Sequence, residues 1–218
     1  GLEIGPVVST DAPLEVTLEC GASGASWGRL GRPDALLRAG ERLKQAGATA
    51  IAVVARFPED PESDALAAYR QGSGVDALAG AEAVISHLLV QHLQIPCAHA
   101  PALDPLPLDP QLDPRAAGEE LGYTFLACVL VGLSRAPDLV SAPRQPGDLD
   151  ATQLGAVVVP AGALGGEAAL ACLERNVPLI TVENPAVLSV TADALGLSQG
   201  VLQASSYSEA AGLVLALR

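Results

Sequence analysis

The sequence predicts an α/β fold: an open, mainly parallel sheet with helices on both faces, Rossmann-like and divided into two lobes. Three observations carry that expectation. Short apolar runs at 14–20, 50–56, 156–159 and 179–182 alternate with stretches of helical periodicity. Half of the 218 residues are apolar but only six are aromatic, so the core must be built from Ala, Leu, Val and Ile, the usual filling of a parallel sheet wrapped in helices. Two glycine-rich loops, 21–28 and 160–166, follow apolar runs where an open α/β sheet presents backbone N–H groups to ligands.

Taken in order, Leu14 to Cys20 reads as the first strand. Pro33-Asp34 opens a helix through Leu36, Leu37 and Leu43 that stops at Gly47, with proline in the first turn and glycine just past the end. The run 50–56 completes a strand–helix–strand unit, and handedness rules favour parallel pairing of its two strands. An acidic turn at 58–64 leads to a short helix over 63–69, broken by Gly72-Ser-Gly74, and then to a longer amphipathic helix over 80–93 and an extended piece at 95–98. Residues 101–114 carry Leu-Asp-Pro three times, at 103–105, 108–110 and 112–114, which favours an extended surface loop or lid. The stretch 116–134 returns to helix and is apolar on nearly every side from Tyr123, as a central buried helix would be. Pro137, Pro143 and Pro146 mark 136–150 as a linker between a lobe at 1–135 and a smaller one at 151–218. The smaller lobe repeats the pattern: strand 156–159, helix 167–175, strand 179–182, and a closing helix from about Glu209 behind the capping box Ser206-Tyr-Ser-Glu209.

A formal charge of -13 with only 12 Lys and Arg argues against a nucleic-acid surface. The acidic excess lies in the middle, where 61–150 hold 12 Asp or Glu against four Arg, and reads first as a solvated face. The apolar segment 123–133 is shorter than the roughly 20 residues a bilayer span needs, so no membrane partner is expected. Cys20, Cys97, Cys128 and Cys172 have no paired spacing, as suits reduced thiols rather than disulfides or a zinc site. The lack of methionine and the start at Gly1 lead to the expectation that further chain preceded it.

Ligands of open α/β sheets sit beyond the carboxyl ends of the strands. That rule gathers Ser23, Gly24 and Ser26 of the first loop, Arg56, Cys97 and His99, Gly165 and Gly166 of the second loop, and Glu183. The expected ligand is a small anionic molecule held by loop amides and clamped by Arg56, with His99, Cys97 or Asp76 available for proton chemistry. Each residue has an ordinary alternative. Arg56 could pair with Glu59 or Asp60. Gly24-Ala-Ser26-Trp-Gly28 satisfies the G-x-S-x-G pattern of a serine hydrolase, but an elbow feeds straight into its helix and here 28–33 intervene, so a tight turn is the plainer reading. The second loop lacks the dinucleotide and P-loop spacings, although Glu183 lies where a ribose-binding acid would. His87 and His92 are five residues apart and face directions about 140° apart on a helix. His92 falls with Val84, Ile85 and Leu88 and reads as a core histidine. Cys97 and His99 alternate and share a strand face. No metal is expected, and no pattern names a cofactor.

The segments 23–28, 32–38, 52–58, 69–72, 74–87, 95–101 and 119–125 resemble the signature segments of a family of uncharacterised proteins from cyanobacteria and related photosynthetic lineages, known as a domain of unknown function. His87, Cys97 and His99 lie inside those segments and His92 does not. The resemblance implies that the chain is a carboxyl-terminal portion of a longer protein, with the amino-terminal region or a homo-oligomer as a partner. It also implies a cytoplasmic location, or a plastid stroma in a plastid-bearing source. It supplies no activity. A non-catalytic regulatory or assembly protein, using the acidic middle and the 101–114 loop as contact surface, is the competing class.

Overall fold

The computed structural model describes residues 2–57, 63–102, 107–120, 125–140, 145–184, 188–197 and 199–217. Glu59, Asp60, the first Leu-Asp-Pro and Pro143 lie outside them. The chain divides into two compact units, one of residues 1–21 and 25–141, the other of residues 22–24 and 142–218. Strands and helices are mixed in both, and the described strands pair in three small sheets.

In the first unit β1 (Val16–Cys20) and β2 (Ser26–Leu30) form an antiparallel hairpin, in register from Val16 opposite Leu30 to Cys20 opposite Ser26. This corrects the expected parallel pairing of the first strand with the strand at 50–56. The intervening 21–25 is short enough to turn the chain back on itself, and Gly24 takes the positive φ of 84° that this turn uses. Helix α1 (Pro33–Gln45) follows, with proline at its start and Gly47 at φ 94° just beyond its end. Its buried positions are Ala35, Leu36, Ala39 and Gly40, one face at helical spacing. Arg38 forks between Asp11 and Asp34, at 2.6 Å to each, and ties the amino-terminal arm to the exposed side of α1.

Strand β3 (Ile51–Ala55) pairs in parallel with β4 (Cys97–Pro101). Between them lie α2 (Asp64–Arg70), capped by Ser63, and α3 (Ala79–Leu93). Leu36, Ile51, Phe57, Ala81, Ile85, Leu89 and Leu93 form the buried core of this unit. Of the helix expected over 116–134 the described residues hold α4 (Pro114–Glu120) and α5 (Phe125–Leu133), and 121–124 lie outside them. Arg70 joins α2 to α4 through Glu120 at 2.8 Å. Helix α5 packs against β3 and β4 but is not central: Leu126 is 41% and Val131 47% exposed. Its sequence is apolar all round, whereas the described structure covers one side only.

The second unit has β5 (Val157–Pro160), β6 (Leu179–Val182) and β7 (Val201–Ala204) in one parallel sheet ordered β5-β6-β7. The central β6, Leu-Ile-Thr-Val, is buried throughout, as the middle strand of a parallel sheet must be. Helix α6 (Glu167–Glu174) makes the β5-to-β6 crossover, and α7 (Tyr207–Ala216) follows β7. Ser206 Oγ accepts the Glu209 N–H at 3.2 Å, while the Glu209 carboxylate reaches back to the Ser205 N–H at 2.7 Å.

Helix α3 approaches β2 through glycine. A Cβ on Gly80 would stand 2.5 Å from Trp27 Cα and 2.6 Å from the Ser26 carbonyl oxygen, both backbone atoms that cannot swing aside. Helix propensity alone makes Gly80→Ala stabilising. The contact reverses the sign, and the variant is expected to lose about 1–3 kcal/mol in urea unfolding.

Candidate functional site

The buried stripe of α3 decides what lies inside the first unit. Its buried positions are Ala81, Glu82, Ile85, Ser86, Leu89 and Leu93, so Glu82 and Ser86, one turn apart, enter the core on the same face as the aliphatic residues. They meet His99 at the middle of β4. Ser86 Oγ lies 2.9 Å from His99 Nδ1, and His99 Nε2 stands 3.8 Å from Glu82 Oε2. The carboxyl of Glu82 is almost wholly buried, and its Oε1 has no hydrogen-bond partner among the described residues.

Both groups are driven toward their neutral forms. Burial, and then the nearby Asp76 carboxylate, push the Glu82 carboxyl up to about 7. Burial, and then the charge of His87, hold His99 below its ordinary value. At 3.8 Å the two groups are not hydrogen-bonded, and with the carboxyl raised to about 7 its protonated and ionised forms are both populated near neutral pH, beside an imidazole that burial holds neutral. If Ser86 donates to Nδ1, the Nε2–H points toward Glu82; if Nδ1–H donates to Ser86, the Nε2 lone pair faces the carboxyl proton. Only the second arrangement lets the carboxyl proton pass to Nε2, once the two atoms close from 3.8 Å to hydrogen-bonding distance; in the first, Nε2–H can donate a hydrogen bond to the carboxyl group but can accept no proton.

Ser26 and Asp76 adjoin the start of α3. Ser26 Oγ donates to the Asp76 carbonyl oxygen at 3.0 Å, and the Asp76 carboxylate accepts the Leu78 N–H at 2.8 Å. Ser26 opens strand β2 of a hairpin, with no strand-to-helix elbow and with its hydroxyl committed to a carbonyl, which removes the geometry a hydrolase nucleophile needs. Cys97 and His99 alternate on β4 as expected. Burial pushes the Cys97 thiol up to about 11, so it stays protonated and a poor nucleophile at neutral pH. Arg56 is exposed, one residue past the end of β3.

The family described as "Protein of unknown function (DUF3326)" matches the chain from residue 1 to residue 218. The chain belongs to that family. A curated protein of Synechococcus sp., called an uncharacterised lipoprotein, is 50% identical over 220 residues, which take in 100% of this chain and 61% of that relative. The DUF3326 chain thus spans about three-fifths of the curated relative it matches. No solved structure matches it. No helix among the described residues is long and apolar enough to cross a membrane. The word lipoprotein belongs to the relative and lends no support to a cytoplasmic location.

The remaining candidates of this DUF3326 chain fall elsewhere. Ser23 and Gly24 group with the second unit, where the Ser23 carbonyl accepts the Ser189 N–H at 3.1 Å. The neighbouring Val190 exchanges backbone hydrogen bonds with Gly162 and Leu164, both at 2.9 Å, so 189–190 link Ser23 to the second glycine-rich loop. Gly166 caps α6 without a side-chain acceptor, and Gly165 packs against Val190. Glu183 lines a hollow of about 480 Å³ with Ala161, Asn184 and Ser205 beyond the carboxyl ends of the second sheet. His92 is not a core residue: it is exposed and its Nε2 lies 2.7 Å from Glu41 of α1, because the stripe that packs inward passes through Leu89 and Leu93 instead. Among the described residues no group of three or more His, Cys, Asp or Glu could hold a metal.

Glu82 and Ser86 are the residues that sequence reasoning passed over. The signal was present, since the i, i+4 row through Ala81, Ile85, Leu89 and Leu93 runs beside Glu82 and Ser86. A carboxyl raised to about 7 makes the folded state favour its protonated form. Its contribution is therefore complete below the ordinary value of 4.5 and lost as pH rises through about 7. Glu82→Gln is expected to remove that loss. Allowing for partial solvent screening, the stability difference between wild type and variant should change by about 2 kcal/mol across that window, measured as urea midpoints against pH.

Proposed function

We propose that the first unit binds a small anionic metabolite at the carboxyl end of β3 and β4 and moves a proton there through Glu82 and His99. The observation that carries the reading is the buried Glu82 carboxyl, with one oxygen unpartnered among the described residues and the other facing an imidazole held by Ser86. A buried acid near pH 7 is suited to general acid–base work, because it can give and recover a proton at neutral pH. Held toward its neutral form, it donates to an anion rather than repelling it. Arg56 supplies positive charge just past the end of β3, and Ser26 and Asp76 border the start of α3. The Rossmann-like reading of the sheet belongs to the same proposal, since it is the rule for parallel strands that puts a ligand at this end. In the second unit, the Gly165-Gly166 loop and Glu183 are a separate candidate for amide and polar contacts.

The competing class, a non-catalytic regulatory or assembly protein, is favoured by one observation, the exposed apolar side of α5. The two readings differ in a thermal-shift screen of phosphorylated and carboxylated metabolites. A ligand at a hundred times its dissociation constant stabilises by about 2.7 kcal/mol, a rise of roughly 5–10 °C in a chain of this size. The shift is expected for at least one anion and is expected to disappear in His99→Gln. A flat response across the panel rejects the metabolite-binding reading.

A further inference from the structure

The parallel pair β3–β4 stands as a two-stranded sheet among the described residues, and its outer edges are not equivalent. The Ile51 N–H donates to the Pro96 carbonyl at 3.0 Å and the Ala102 N–H to the Ala55 carbonyl at 2.8 Å. With the register Ile51–Cys97, Val53–His99 and Ala55–Pro101, these bonds turn the backbone of 51, 53 and 55 toward β4. Ala52 and Val54 therefore direct their N–H and C=O groups to the opposite edge, where no described strand pairs with them. The outer edge of β4 is blunted by Pro101, which has no N–H to give. The edge of β3 keeps all of its donors.

That edge faces a cleft of about 1370 Å³, bordered by Leu36 and Leu43 of α1, Leu126 and Leu130 of α5, and the arm at 2–16. Small-molecule pockets run to roughly 300–1,000 Å³, so a trough this large along a strand edge suits a segment of polypeptide better than a metabolite. Val54 is 50% exposed on it, and α5, apolar on every side, leaves Leu126 and Val131 uncovered in the same unit. Parallel sheets are normally covered and have more than two strands. The Synechococcus relative has 39% of its length outside the match, the complement of the 61% covered.

We infer that the open edge of β3 receives an apolar β-strand from that additional part of the longer polypeptide, pairing with Ala52 and Val54 and covering α5. Strand addition supplies main-chain hydrogen bonds to the bare edge and apolar burial to the trough at once.

Residue-resolved hydrogen exchange on the full-length Synechococcus relative tests this. In an edge strand alternate amides exchange fast; in a central strand all are slow. The amides aligned with Ala52 and Val54 are expected to be as protected as those aligned with 51, 53 and 55, and at least about tenfold slower than the same amides of the 218-residue chain. An alternating fast–slow pattern in the relative overturns the inference, whether or not the shorter chain folds alone. Equal protection in a monomeric 218-residue chain also overturns it, as does protection that rises with that chain's concentration, which assigns the edge to a second copy.

Discussion

Helix α3 lies against the β1–β2 hairpin only because bulk is missing at the contact. Gly28 of β2 faces Ala81, and Gly80 of α3 faces the backbone of Ser26 and Trp27. A similar economy brings α1 close on another side, where a Cβ on Gly40 would come within 2.8 Å of both Leu89 and Leu93. These close approaches set the rotation of α3, and the rotation determines which residues leave water. Ile85 and Leu89 become the largest wholly buried side chains of the first unit, and Glu82 and Ser86 are carried in beside them.

Burying a carboxyl among aliphatic residues costs several kcal/mol if it remains ionised, so it takes up a proton or finds a cation. Here the basic group that faces it, at 3.8 Å, is His99, which burial also holds neutral, and Asp76 adds to the pressure on Glu82. An apolar residue at position 82 would pack with less penalty. That energetic burden is the feature on which the proposed proton chemistry rests. Membership of DUF3326 places the chain in a family described as of unknown function.

Much of the secondary structure was legible in local sequence. Proline at the start and glycine past the end of α1, the Ser206 cap of α7 and the unbroken apolar run of β3 are signals read over a few residues, and the elements formed there. Pairing was not legible. The 14–20 run looks the same whether it joins the next strand as a hairpin or a later one through a crossover, and a turn around Gly24 chose the hairpin. Helix α5 misled for a related reason: an apolar stretch reads as buried, whereas the described structure leaves Leu126 and Val131 exposed.

The site divides in the same way. Sequence alone determined the inventory: His99 alternating with Cys97 on a short strand, a serine and an acid at loop positions, an arginine closing β3, and a formal net charge of -13. These are properties of residue type and spacing, and a chain carries them wherever it folds. Only the tertiary structure decided that Glu82 faces His99, that Ser26 spends its hydroxyl on a carbonyl, and that His92 turns outward to Glu41. Those outcomes depend on helix rotation and on long-range packing through α1, β2 and β4. The pKa of a carboxyl depends on the charges and dielectric that surround it in space, not on its neighbours along the chain.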